Sequence, residues 1–102
     1  MYVSRLTFFT HPGKTQEVVQ HLQALHTWVG EVGGEQPQIL RNHFASPGAP
    51  DVVFEQHAPD LATLEAQMAQ VTGRATFQQW STQMAPLLAH SPKREIYLVE
   101  LP

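Results

Sequence analysis

Six side chains of this sequence could share acid–base chemistry if strands bring them to one surface: Arg5, Arg41, His43, Glu55, His57 and Tyr97. Histidine titrates near neutrality, so His43 or His57 suits the abstraction of a proton from a weakly acidic substrate. Arg41 is the cation placed to hold the oxyanion that results. Arg5, Glu55 and Tyr97 complete the group as substrate contacts. The same six residues could instead form salt bridges and hydrogen bonds across a dimer interface, where ion pairs are common among mixed side chains. The sequence leaves a small enzyme and a non-catalytic, ligand-binding or structural homodimer both open.

Other chemistries find less support. The chain has six histidines and no cysteine. The histidines show no HxH, HxxxH or HxxE spacing, so no metal is expected. His21 and His26 are five positions apart in one helical pattern and point about 140° from each other. No phosphate loop, dinucleotide fingerprint or nucleophile elbow is present, and no cofactor is expected. A net charge of −3 with scattered basic residues argues against nucleic acid as a partner. No apolar run approaches the roughly 20 residues that span a bilayer. No basic segment followed by an apolar core marks a secretory signal. The expectation is a cytoplasmic chain that forms a single domain over residues 1–102.

The elements that must position these residues follow from periodicity. Tyr2 to Thr10 is rich in aromatic and β-branched residues and stops at His11-Pro12-Gly13, as a strand would. Lys14 to Val32 carries a stripe of Val18, Leu22, Leu25, Val29 and Val32 at helical steps, with Gly33-Gly34 as its stop. Gln38 to Phe44 reads as a second strand. The turn-rich Ser46-Pro47-Gly48-Ala49-Pro50 then returns Asp51 to His57 as its antiparallel partner. Asp60 caps a helix with Leu61, Leu64, Met68 and Val71 on one stripe. Thr72-Gly73 interrupts it, and Phe77, Trp80, Met84, Leu87 and Leu88 continue the spacing to Ser91-Pro92. Lys93 to Leu101 alternates as a last strand.

The order is β-α-β-β-α-β with the second helix broken. That is an α+β, ferredoxin-like arrangement: a four-stranded antiparallel sheet with helices on one face. Leu6, Phe8, Leu40, Phe44, Val52, Phe54, Ile96 and Leu98 are expected toward the helices, with Trp28 and Trp80 in the core. The opposite face is expected to carry Val3, Arg5, Thr7, Phe9, Ile39, Arg41, His43, Val53, Glu55, His57, Glu95, Tyr97 and Val99. Large apolar residues mixed with charges of both signs suit an interface or a partly polar cavity better than a wet surface or a monomer core. A homodimer through these sheet faces is expected. A small-molecule ligand would lie beneath the helices or in the barrel mouth, near His43, Glu55 and His57. Lys14, Lys93 and Arg94 are expected in solvent.

Three stretches, in this order, carry a resemblance: Pro12-Gly13-Lys14 between the first strand and helix; Val52-Val53-Phe54-Glu55 before the capped helix at Asp60; and Phe77-Gln78-Gln79-Trp80 with Met84-Ala85-Pro86-Leu87-Leu88 before the last strand. Together they make the chain similar to the dimeric α+β barrel superfamily, near NIPSNAP-like and antibiotic-biosynthesis-monooxygenase-like domains. The resemblance implies two sheets packed face to face with helices outside. It also implies an activity such as cofactor-free oxygenation or isomerisation of a small aromatic or enolic molecule.

Overall fold

Alternating side chains, one helical stripe and well-placed breakers build the sheet and its cover. The computed structural model describes residues 1–102. Strand β1 (Tyr2–Phe8) leads into helix α1 (Thr15–Glu31), then β2 (Glu35–Arg41) and β3 (Val52–Ala58). Helices α2 (Leu61–Thr72) and α3 (Ala75–Met84) follow, then a 3-10 turn at Ala85–Leu87 and β4 (Lys93–Leu98). The four strands form one antiparallel sheet in the order β2-β3-β1-β4. This is the ferredoxin-like α+β architecture expected from the element order.

The local signals act as their chemistry dictates. Gly33 takes a φ of 87°, and its N–H bonds to the Gly30 carbonyl to end α1. At Gly34 a Cβ would come 2.9 Å from the Val29 carbonyl oxygen, so no larger residue fits there. The Asp60 carboxylate accepts from the Thr63 N–H at 2.7 Å and starts α2. The break between α2 and α3 falls at Gly73 and Arg74. Gly73 keeps an ordinary helical φ of −78°, and it is Arg74, with ψ at 140°, that turns the chain out of the helix. The core joins Val18, Leu22, Leu25 and Val29 of α1 to Phe8, Val52 and Phe54 of the sheet and to Val71, Trp80, Met84 and Leu88.

Strand β2 departs from expectation in a way that moves two proposed site residues. The strand begins at Glu35, runs through Pro37 and ends at Arg41, so His43 and Phe44 lie in the loop beyond it. A bulge between Glu35 and Gln38, with Gln36 at a φ of 49°, sets the register that places Ile39 opposite Phe54 and Arg41 opposite Val52. Ile39 and Arg41 therefore face the helices. Leu40, opposite Val53, faces away and is 38% exposed. Because strand side chains alternate, assigning one residue to the wrong face reverses the whole strand. Phe44, expected in the core, is 91% exposed. The expected strand ends early because Asn42 turns the chain: its N–H bonds to the Asp51 carbonyl and its side-chain amide to the Pro50 carbonyl.

The helices lie chiefly over β2 and β3. Edge strand β4 is left partly uncovered, and Ile96 and Leu98 stay half exposed on the helix side rather than packing beneath Trp80. No helix is long and apolar enough to cross a membrane.

Candidate functional site

The face of the sheet away from the helices collects four of the six proposed residues. Arg5 on β1 lies between Glu55 on β3 and Glu95 on β4, each directly across from it. Its Nε donates to Glu55 Oε2 at 2.8 Å. His57 Nε2 lies 3.4 Å from the other oxygen of the same carboxylate. Tyr97 donates its hydroxyl to Glu95 Oε2 at 2.9 Å, and the Arg5 guanidinium sits 5.6 Å from the centre of its ring. The hydrogen bond to Glu95 is the main cause that raises the Tyr97 pKa above the ordinary phenol range, with desolvation and the Glu95 charge adding to it. A shallow concavity between these groups is bordered by Val3, Leu98 and Val99. The array alternates in sign and satisfies itself: each carboxylate is already engaged by a cation or a hydroxyl.

Arg41 and His43 are not part of this array, which corrects the expectation that they lie across from Glu55 and His57. Arg41 is on the helix side, where Nη1 donates to Gln16 Oε1 of α1 at 2.8 Å. His43 lies in the exposed loop against Phe44, with ring centres 4.5 Å apart. The expected hairpin geometry placed two histidines, a carboxylate and a cation together; the register of β2 separates them. No three of the chain's His, Asp and Glu side chains converge in a metal-holding geometry.

A second candidate lies beneath the helices. A small cleft of about 60 Å³ opens to solvent between the sheet and α1, α2 and α3. Leu6, Leu25, Val29, Phe54, Phe77 and Trp80 give it largely apolar, aromatic walls. One charge reaches it, Arg94 of β4. Alternation with Ile96 and Leu98 directs Arg94 to the helix side, and its Nη1 donates to the hydroxyl of Ser4, a residue only 2% exposed. Arg94 stays exposed, as the sequence led us to expect, while the tip of its guanidinium leans onto the sheet to reach Ser4. Burial lowers its pKa from the usual arginine value. Arginine nevertheless stays protonated in proteins, so the cleft retains a positive charge. The ion pairs of the molecule are Arg5–Glu55, Lys14–Glu17, His57–Glu55 and Arg74–Glu31, and none includes Arg94.

The back wall of the cleft is held from outside. His21 Nε2–H donates to the Trp80 carbonyl at 2.9 Å, and Trp80 Nε1–H donates to the His21 carbonyl at 2.8 Å. The two rings stack at 5.2 Å. This reciprocal pair ties α1 to α3 and fixes the indole that lines the cavity. Phe77 and Trp28 brace the same indole at 5.5 and 6.2 Å.

Sequence reasoning missed Arg94, Ser4, Gln56 and Gln67 as a group. The signal was available on β4, where the spacing of Arg94, Ile96 and Leu98 places all three on one face. Only the packing of the helices shows that this face borders an unfilled cleft.

No protein-family model and no curated protein sequence matches the chain. Solved structures do. An uncharacterised NIPSNAP domain protein from Burkholderia xenovorans superposes with a TM-score of 0.79 at 17% identity, covering 100% of this chain and 99% of its own. A NIPSNAP-like domain protein from the same organism gives 0.76 at 17% identity, covering 96% of this chain and 84% of its own. A protein from Nitrosomonas europaea assigned as an antibiotic biosynthesis monooxygenase gives 0.72 at 19% identity over 99% of this chain and 100% of its own. The chain thus shares the fold of NIPSNAP and antibiotic-biosynthesis-monooxygenase-like structures. At these identities the likeness concerns the fold alone.

Proposed function

We propose that this protein binds a small planar aromatic or enolic anion in the cleft beneath its helices, with Arg94 pairing to the anionic oxygen. The observation that carries this reading is a guanidinium with no carboxylate partner at the edge of an apolar, aromatic-lined cavity. Such a cation attracts an oxyanion and favours the ionised form of a phenol or enol. The lining contains no histidine, carboxylate or lysine to act as base, so the substrate's proton leaves to water as the anion binds. An enolate or phenolate held in this way is electron-rich at carbon. Oxygenation of it is the activity suggested by the neighbours assigned as antibiotic biosynthesis monooxygenases.

The open sheet face serves a different role in this reading. Arg5, Glu55, His57 and Tyr97, with Val3 and Leu40, form the contact surface of a homodimer. Leaving its apolar members wet forfeits about 25 cal/mol per Å² of apolar area.

Titration of the protein with benzoates and phenols, followed by Trp80 fluorescence, tests the cleft. Arg94→Gln should weaken anion binding roughly 10-fold or more, because it removes a charge-assisted hydrogen bond. Binding that is unchanged in Arg94→Gln, or absent from the wild type, would overturn the reading. Oxygen uptake in the presence of those ligands that bind then separates an oxygenase from a carrier.

A further inference from the structure

We propose that Gln56 and Gln67 form a second recognition point in the same cleft. They would select anions that carry a neutral hydrogen-bonding oxygen, such as a ketone or amide carbonyl, across the ring from the anionic group. This inference rests on the reading of the cleft as a ligand site and adds to it the class of molecule that fits.

The two amides are unusual occupants of an apolar lining. Gln56 is 5% exposed and Gln67 8%, and both border the cavity. Each amide can donate twice and accept twice. Yet they make one hydrogen bond between them, from Gln56 Nε2 to Gln67 Oε1 at 3.4 Å. That length is near the limit for such a bond. No fully buried side-chain nitrogen or oxygen lacks a partner. The spare groups, Gln56 Oε1 and Gln67 Nε2, are therefore those left open to solvent within a mostly apolar site. Burying them beneath an apolar ligand carries a desolvation cost that a ligand oxygen removes.

The sheet register sets the spacing. Gln56 lies directly across from Ser4, and Ser4 receives the Arg94 hydrogen bond from the far strand. Gln67, Gln56 and Arg94 thus border the cleft as its polar members, and Ser4 on β1 lies between the strands of the last two. Strands β3 and β4 flank β1 at about 4.8 Å each, and Arg94 is level with Leu6 while Gln56 is level with Ser4, so the backbones at Gln56 and Arg94 are roughly 12 Å apart. An anionic group at Arg94 and a neutral oxygen at the glutamines then belong on opposite sides of a ring rather than on neighbouring atoms. Gln67 Nε2–H would donate to a carbonyl there, and Gln56 Oε1 would accept from a hydroxyl or amide N–H.

The test uses two probes of nearly equal shape, 4-acetylbenzoate and 4-isopropylbenzoate, both anions at neutral pH. Calorimetric titration of the full chain should show the acetyl compound binding roughly 10-fold more tightly. Gln67→Met, which keeps side-chain length and loses the amide, should abolish or reverse that preference. The wild-type selectivity is read without any variant, so a misfolded Gln67→Met leaves the test intact. Equal affinities on the wild type, with both lost in Arg94→Gln, would overturn the glutamine assignment and leave the cleft reading standing. Failure of both probes to bind the wild type at millimolar concentration would overturn both.

Discussion

The two faces of the sheet handle charge in opposite ways. On the open face, Arg5 sits between Glu55 and Glu95, His57 leans on Glu55, and Tyr97 donates to Glu95. Each charge in that array has a partner on the same chain. On the helix side the guanidinium of Arg94 borders the cleft and donates to the Ser4 hydroxyl but meets no carboxylate, and that of Arg41 donates to Gln16. A balanced array costs little to cover with a second protein surface, because its members are already satisfied. A cation without a carboxylate partner at the edge of an apolar cleft is instead free to pair with an anion that the chain does not itself supply. The larger collection of titratable groups need not be the binding site; a charge without a partner is the better candidate.

The largest effect is expected at the wall of the cleft. Trp80→Ala should cost about 3–5 kcal/mol in chemical unfolding, as for other buried large-to-small changes. A loss under about 1 kcal/mol would mean that the reciprocal bonds with His21 do not hold the indole in place. The open face is probed next. Glu55→Gln leaves Arg5 without its carboxylate. If the face is buried in a dimer, sedimentation should show dissociation strengthened by about 2–5 kcal/mol, the cost of leaving a buried charge unpaired. An effect of 0.2–1 kcal/mol, as at an exposed pair, would place that face in solvent.

Arg94 sharpens the contrast from the other side. Arg94→Met should cost no more than about 1–3 kcal/mol in unfolding, since it breaks no ion pair and removes only the hydrogen bond to the buried Ser4 hydroxyl. The same change should remove anion binding. A large destabilisation would show that the guanidinium is structural. The smallest effect is expected far from both faces, at the α2 cap. The Thr63 N–H holds the Asp60 carboxyl below its usual pKa. With the folded pKa depressed, the cap's contribution is present above the unfolded aspartate pKa and is lost as pH falls through the folded one. Wild type and Asp60→Ala should therefore differ slightly at neutral pH and converge in acid, as read by thermal unfolding at stepped pH. A gap that persists in acid would contradict the cap.

By itself the sequence determined the element order, the α1 stripe, the glycine stop, the Asp60 cap and the break near Gly73, because each depends on residues close together in the chain. It also determined the faces of β1 and β3, where Phe8, Val52 and Phe54 mark the buried side and Arg5, Glu55 and His57 the other. Strand β2 was decided by tertiary structure. Leu40 and Phe44 make the apolar set look right on one face and Ile39 on the other, so composition alone does not choose between them. A bulge at Gln36 and the pairing of Ile39 with Phe54 make the choice, and they carry Arg41 to α1 and leave His43 in a loop. The cleft was likewise beyond local reading. Ser4, Gln56, Gln67 and Arg94 lie on four different elements, and only strand register and helix packing bring them to one floor. Local interactions specify what each segment becomes; which polar groups meet, and whether a void remains between them, depends on long-range contacts that no window of sequence contains.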